Sequence, residues 1–260
     1  MSKDAKYKTA IAVLCLVIIL QGALILRLLP KRIAVRLPVV KGRIAIVIDD
    51  WGYNLNNLSL LADISYPLTL SVLPALPYSE RISSEAKKRG LEVILHLPLE
   101  PLPSEFKRLE QNTIMTDMDE AKIKNILLAD LSGIHGVKGI SNHMGSKATT
   151  SAKVMETVFL VMKKRGLYFF DSLVSRGSVA KSLSRTIGIK FAKRDIFLDN
   201  EASPDYIKGQ IKKLKNIALS RGYAIGVGHD RATTLRVLIE VMPELKKEGL
   251  KFVFVSELAN

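Results

Sequence analysis

An α/β barrel behind one membrane-spanning helix is the architecture this sequence predicts. Three observations carry the prediction. The chain opens with an uncharged apolar run, continues as short apolar runs alternating with helical segments, and has no break in composition within that alternation. Its 260 residues, 48% of them hydrophobic, are enough to build one full-sized core.

From Ala10 to Leu26 the chain reads AIAVLCLVIILQGALIL, without a charged residue. As a helix this run spans roughly 25 Å, and Leu28 and Leu29 extend it if Arg27 snorkels to the interface. No small-x-small cleavage site follows, only RLLPKR, so an uncleaved anchor is favoured over a secretory signal. Leu14 before Cys15, and the apolar run beyond it, argue against a lipidation site there. The layout is then a tail over 1–9, an anchor over 10–29, a short basic linker over 30–42 and a folded domain over 43–260. Cys15 is the only cysteine, so the domain has no disulfide, thiolate metal site or cysteine nucleophile. Lys3, Lys6 and Lys8 precede the span, whereas Arg27, Lys31, Arg32 and Arg36 follow it. Charge alone would therefore keep the domain in the cytoplasm.

The net charge of +14 does not indicate a nucleic-acid partner. Much of it lies in the first 42 residues. In the domain it recurs as Lys87-Lys88-Arg89-Gly90, Lys163-Lys164-Arg165-Gly166, Ser220-Arg221-Gly222 and Lys246-Lys247-Glu248-Gly249. Cations in a last turn followed by glycine are a helix ending. A nucleic-acid surface would also call for interleaved aromatics.

Apolar runs rich in β-branched and aromatic residues fall at 44–48, 68–73, 91–95, 137–140, 167–170, 189–192, 223–227 and 250–255. They are continuous rather than alternating, as in parallel strands covered on both faces. Helical spacing fills 79–89, 119–131, 152–165, 204–221 and 233–247. Seven or eight β/α units predict a barrel. An open doubly wound sheet is the alternative, but no glycine-rich nucleotide fingerprint follows the first strand.

In a β/α barrel the residues where strands end carry the chemistry. Here IAIVI runs into Asp49-Asp50-Trp51-Gly52, and LEVIL runs into His96, with Glu100 behind it. VKGIS leads to Asn142-His143-Met144-Gly145-Ser146, LYFF to Asp171-Ser172, and YAIGVG to His229. Three of the four histidines therefore fall on one rim, and His135 falls on the other. A single histidine here would read as a hydrogen-bonded loop residue, and the aspartate pair as a cap. Their convergence instead fits imidazole and carboxylate ligands for a divalent ion, Zn²⁺ foremost, with an open water position. That ligand set suits metal-assisted hydrolysis of an amide or ester.

IVIDDWG, HLPLEP, SNHMGS, FFDS, RDIFLDN and VGHD occur in the order and spacing of the divergent polysaccharide deacetylases. Over about residues 43–258 the chain resembles that group, and through it the NodB-type carbohydrate esterases. The resemblance implies a distorted (β/α)7-8 barrel and an Asp-His-His metal site. It implies Asp49 as catalytic base, Asp50 as a ligand, His229 as the acid protonating the leaving amine, and Asp171 as an orienting partner near His229 or Asp49. The family's second ligand histidine stands four residues after the first, where this chain has Glu100. The role passes to His143 on the next strand, beside Asp50 and His96. The family's Arg-x-Pro-Tyr oxyanion motif is also missing, which leaves Asn142 or a backbone N–H of the Gly145-Ser146 turn for that task.

The resemblance further implies an envelope polysaccharide as substrate, a domain outside the cytoplasm and an acetyl group, N- or O-linked, as the part removed. A non-catalytic module binding glycan or an envelope protein is the alternative from another class. A two-carboxylate glycosidase is a third, disfavoured by the histidine-rich rim. Trp51, Tyr53 and Tyr78 are the candidates for stacking on sugar.

Overall fold

The computed structural model describes residues 2–28, 40–105 and 108–260. The anchor's last residue, most of the linker and the cations Lys31, Arg32 and Arg36 lie outside them. Two units are described. The first holds helix α1 (Lys3–Leu28), with mean hydropathy 2.3 over its apolar window and none of that window buried in protein. By length and composition it is able to cross a membrane.

Among the described residues the second unit holds nine parallel strands: β1 (Gly42–Trp51), β2 (Thr69–Val72), β3 (Glu92–Leu99), β4 (Val137–Met144), β5 (Tyr168–Asp171), β6 (Phe191–Lys193), β7 (Ile196–Phe197), β8 (Tyr223–His229) and β9 (Leu250–Phe252). The helices between them are α2 (Ser79–Lys88), α3 (Glu120–Ser132), α4 (Ala152–Arg165), α5 (Ala180–Ile187), α6 (Pro204–Arg221) and α7 (Ala232–Lys247). Local chemistry sets their ends. Asp119, Ser151 and Ser203 cap α3, α4 and α6 by accepting from the backbone N–H of the third residue of each helix. Gly166 and Gly222 close α4 and α6 at φ 66° and 88°, a region costly for other residues.

The sheet order is β6-β5-β4-β3-β2-β1-β8-β7, with β9 added beside the start of β1. This corrects the expectation of a barrel of seven or eight units. The sheet is a distorted, open half-barrel, because β6 and β7 end its path without pairing with each other. Arg194 and Asp195 link these two short strands, and their backbone N–H groups bond Asp171 on one side and Ile225 on the other. The chain thus changes partner within one short segment, which leaves no room for a continuous ladder.

Strand alternation sorts the side chains into two cores. Ile44, Ile46 and Ile48 of β1 face the helices, whereas Ala45, Val47 and Asp49 face the interior. The interior column of β3 reads Glu92, Ile94, His96. The C-terminal segment closes the floor of this interior, where Val253, Val255 and Leu258 join Ile94, Phe170 and Ile225. Every buried hydrophobic residue among those described falls between Ile44 and Ala259. Residues 40–260 therefore carry a complete core without α1.

Candidate metal centre and its acid–base pair

Only a break in β1 lets two consecutive aspartates serve one site. The β1–β2 register shifts between Ile48 and Trp51, and Asp50 adopts φ 66°. A left-handed non-glycine residue is strained by about 1–3 kcal/mol and is worth a functional explanation. Here it turns the Asp50 carboxylate toward β3 and β4, while Asp49 keeps its interior position.

The Asp50 carboxylate lies 3.3 Å from His96 Nε2 and 3.2 Å from His143 Nδ1. The two imidazoles stand edge to face, 4.9 Å apart. One donor atom from each of Asp50, His96 and His143 lies within 4.8 Å of the others. His96 is fixed from behind, because its Nδ1 bonds Ser141 Oγ at 2.8 Å and Ser141 bonds Ser71 Oγ at 2.7 Å. Such support holds an imidazole in the orientation a metal needs. Burial would raise the Asp50 pKa, but hydrogen bonds from His143 and His96 hold it well below the usual carboxylate range. For Asp49 burial prevails over the attraction of His96, and its pKa is raised. Asp49 Oδ1 is buried without a hydrogen-bond partner. An orphaned oxygen beside two imidazoles and a carboxylate fits a site built to take a divalent cation and water.

Glu100 does not join this cluster. Its carboxylate bonds Lys147 at 2.7 Å and the N–H and Oγ1 of Thr116, each at 2.6 Å. The position that would carry a second histidine in the ordinary spacing is a structural ion pair.

His229 lines the same cleft from β8. The expectation that Asp171 orients it or Asp49 is corrected. Asp171 accepts from Leu173 N and Ser178 Oγ, both at 2.7 Å, and serves the loop after β5. The partner of His229 is Asp199, fully buried just after β7, whose Oδ1 lies 2.7 Å from His229 Nδ1. Asp199 Oδ2 also accepts from His229 N and Thr234 Oγ1. Gly228 permits this closeness, since a Cβ there would meet Thr234 Cγ2 at 2.8 Å. Burial works against a charged imidazole, but Asp199 prevails and raises the His229 pKa. On the far side Phe197 stacks on the imidazole at 17°, and Arg194 lies 3.6 Å over Phe197.

Of the groups considered for an oxyanion, the Asn142 side chain is tied elsewhere. Asn142 lines the cleft, but its side chain donates to Met144 O and accepts from Ser172 N, both at 2.9 Å. Ser146 Oγ accepts from Leu102 N and donates to Glu105, and Gly145 packs on Leu99. Neither Gly145 nor Ser146 is among the cleft-lining residues. Trp51 is fully buried and cannot stack on sugar; Tyr53 and Tyr78 are exposed but outside the cleft. His135 contacts Glu80 on the surface.

The motifs around these positions match one family. Residues 46–259 fit the model of the divergent polysaccharide deacetylases. This chain belongs to that family. It is similar to the uncharacterized protein YibQ of Escherichia coli (strain K12), 32% identical over 228 residues, which cover 88% of this chain and 70% of that protein. An uncharacterized protein of Agrobacterium tumefaciens C58 shares the fold with a TM-score of 0.80 at 24% identity, over 88% of this chain and 92% of that one. The CE4 domain of a multidomain xylanase from the hindgut metagenome of Trinervitermes trinervoides is more distant. Its TM-score is 0.52 at 17% identity, over 84% and 89% of the two chains.

Asp199, the partner of His229, was the least visible of these residues in the sequence. The motif RDIFLDN contained it, but β7 before it is two residues long and gives no periodic signal.

Proposed function

We propose that this protein is a metal-dependent hydrolase that removes N- or O-linked acetyl groups from an envelope polysaccharide. The observation that carries this reading is the meeting of Asp50, His96 and His143 with Asp49 and the His229–Asp199 pair at one cleft. Asp50, His96 and His143 would hold the divalent ion, and Zn²⁺ fits the donor set. Bound there, it supplies Lewis acidity toward an acyl carbonyl and acidifies a water molecule.

The chain's own residues handle the protons. Asp49 takes one from the attacking water, helped by a carboxylate that burial has made more basic. The carbonyl carbon gains the water oxygen, and its bond to the amine nitrogen or alcohol oxygen breaks. His229 gives its proton to that leaving atom, and Asp199 stabilises the imidazolium beforehand. Acetate and the free amine or alcohol result. Support for a domain outside the cytoplasm is α1 together with the kind of substrate. The test is protease accessibility in intact spheroplasts, where a protected domain would overturn it.

The deciding experiment is metal analysis and turnover of residues 40–260. One equivalent of divalent metal is expected, lost in Asp50→Ala and His143→Ala, with hydrolysis of acetylated oligosaccharides in the wild type. Full occupancy in His143→Ala with loss in Glu100→Ala would overturn the ligand assignment. Metal without turnover across a broad panel of acetylated glycans would make the chain a glycan-binding module.

A further inference from the structure

The loop after β5 is held in a conformation that its sequence does not favour. Leu173 has φ 52°, a region that a γ-branched residue enters only at a cost of about 1–3 kcal/mol. Four hydrogen bonds keep it there. Asp171 accepts from Leu173 N at 2.7 Å, and Asn142 accepts from Ser172 N at 2.9 Å. Arg194 donates from Nε to Ser172 O at 2.8 Å and from its guanidinium to Leu173 O at 3.3 Å. Asp171 and Asn142 are each 1% exposed, so this is a built support rather than a surface turn.

What the support presents is apolar. Leu173 and Val174 are 37% and 38% exposed, and both line the cleft of about 460 Å³ that holds Asp50, His96 and His143. Met144, also at positive φ (50°), lines the same cleft. Of the five non-glycine residues with positive φ among those described, three line this cleft: Asp50, Met144 and Leu173. Asp50 is explained by the metal. A glycine would relieve the other two, and a polar residue at 174 would suit water better. Aliphatic side chains kept there at such cost have a use if something apolar lies against them. They are aliphatic and not planar, so they suit an alkyl chain better than the stacked face of a sugar.

We infer that Met144, Leu173 and Val174 form an acyl-chain wall beside the metal triad, and that the protein prefers acyl groups longer than acetyl. The inference rests on the proposed hydrolase for the placing of the acyl carbonyl at the triad, and it changes the acyl group expected there. Its test is binding, not turnover. Residues 40–260, loaded with Zn²⁺, are titrated calorimetrically with acetate, butanoate, hexanoate and octanoate. Affinity should rise about fourfold per methylene, the equivalent of about 0.8 kcal/mol, until the chain outgrows the wall. Leu173→Ser/Val174→Ser should flatten the series, and Leu128→Ser, exposed on α3, should leave the slope intact. A flat wild-type series, or a slope that survives the double substitution, overturns the wall. A slope without hydrolysis of any acyl substrate supports the wall and overturns the hydrolase. Hydrolysis without a slope does the reverse.

Discussion

The interior of the half-barrel carries polar clusters at both ends, joined through β3 and treated in opposite ways. At the floor, the Glu92 carboxylate receives Thr69 Oγ1 and Tyr168 OH at 2.8 Å each and Ser256 N at 3.2 Å. Val255 N bonds Thr69 in turn, so the cluster fastens the C-terminal segment under the sheet. At the rim, two positions further along the same face of β3 than Ile94, His96 meets Asp49 with an unpartnered oxygen and Asp50 in a left-handed conformation. A buried polar group is cheap when satisfied and expensive when not. The floor is satisfied and serves stability. The rim leaves atoms free for a ligand, and the fold absorbs the cost.

The largest effect is expected at the rim. Asp49→Asn and His229→Ala should each lower turnover by about 10²–10⁴, with metal still bound. Asp49→Asn should leave the melting temperature unchanged or raised, since it removes a desolvated charge. Full turnover in Asp49→Asn would remove the base from the mechanism; a large loss of stability would mean that the rim is structural after all.

The floor should answer in the opposite sense. Glu92→Ala strands the Tyr168 hydroxyl and the Thr69 hydroxyl in the interior, and should cost about 2–4 kcal/mol in denaturant unfolding. Metal stoichiometry in the fraction that remains folded should not change. If stability is kept and metal is lost, the two clusters are one system and the contrast fails.

The smallest effect expected is on pH dependence. Asp199 raises the His229 pKa above its ordinary value, so His229 holds its proton to higher pH than a free imidazole. In its proposed role as the acid it must be protonated, and kcat/KM should fall as pH rises through that pKa. Asp199→Asn removes the charge and should move this basic limb to lower pH. The same pair contributes to stability in a defined window. The His229 part is complete below its unfolded pKa and is lost as pH rises through the raised folded value. The Asp199 part, whose folded pKa is depressed, is present above its unfolded value and is lost as pH falls through the folded one. A basic limb that stays put in Asp199→Asn would separate Asp199 from the acid.

The alternation of apolar runs with capped, glycine-ended helices was legible, because strand and helix periods, caps and left-handed glycines are local properties of the chain. The positions of Asp49, Asp50, His96, His143 and His229 were legible for the same reason: each ends an apolar run, and in a parallel β/α fold those ends share a rim. The open seam was not. β6 and β7 are three and two residues long, too short for a pattern, and only their partners on β5 and β8 reveal the change of side.

Partner choice likewise belonged to the tertiary structure. Asp171 ends one short strand and Asp199 closely follows another, and nothing local distinguishes them. The pairing of β7 with β8 places Asp199 against His229, thirty residues away, while the turn after β5 consumes Asp171. Glu100 and Asn142 look free in sequence and are occupied in space, by Lys147 and Thr116 and by the ends of β4 and β5. A sequence states which groups a chain owns and, through its periods, which end of the fold they reach. Which of them remain unsatisfied, and so available for chemistry, is decided by register and packing between segments far apart in the chain.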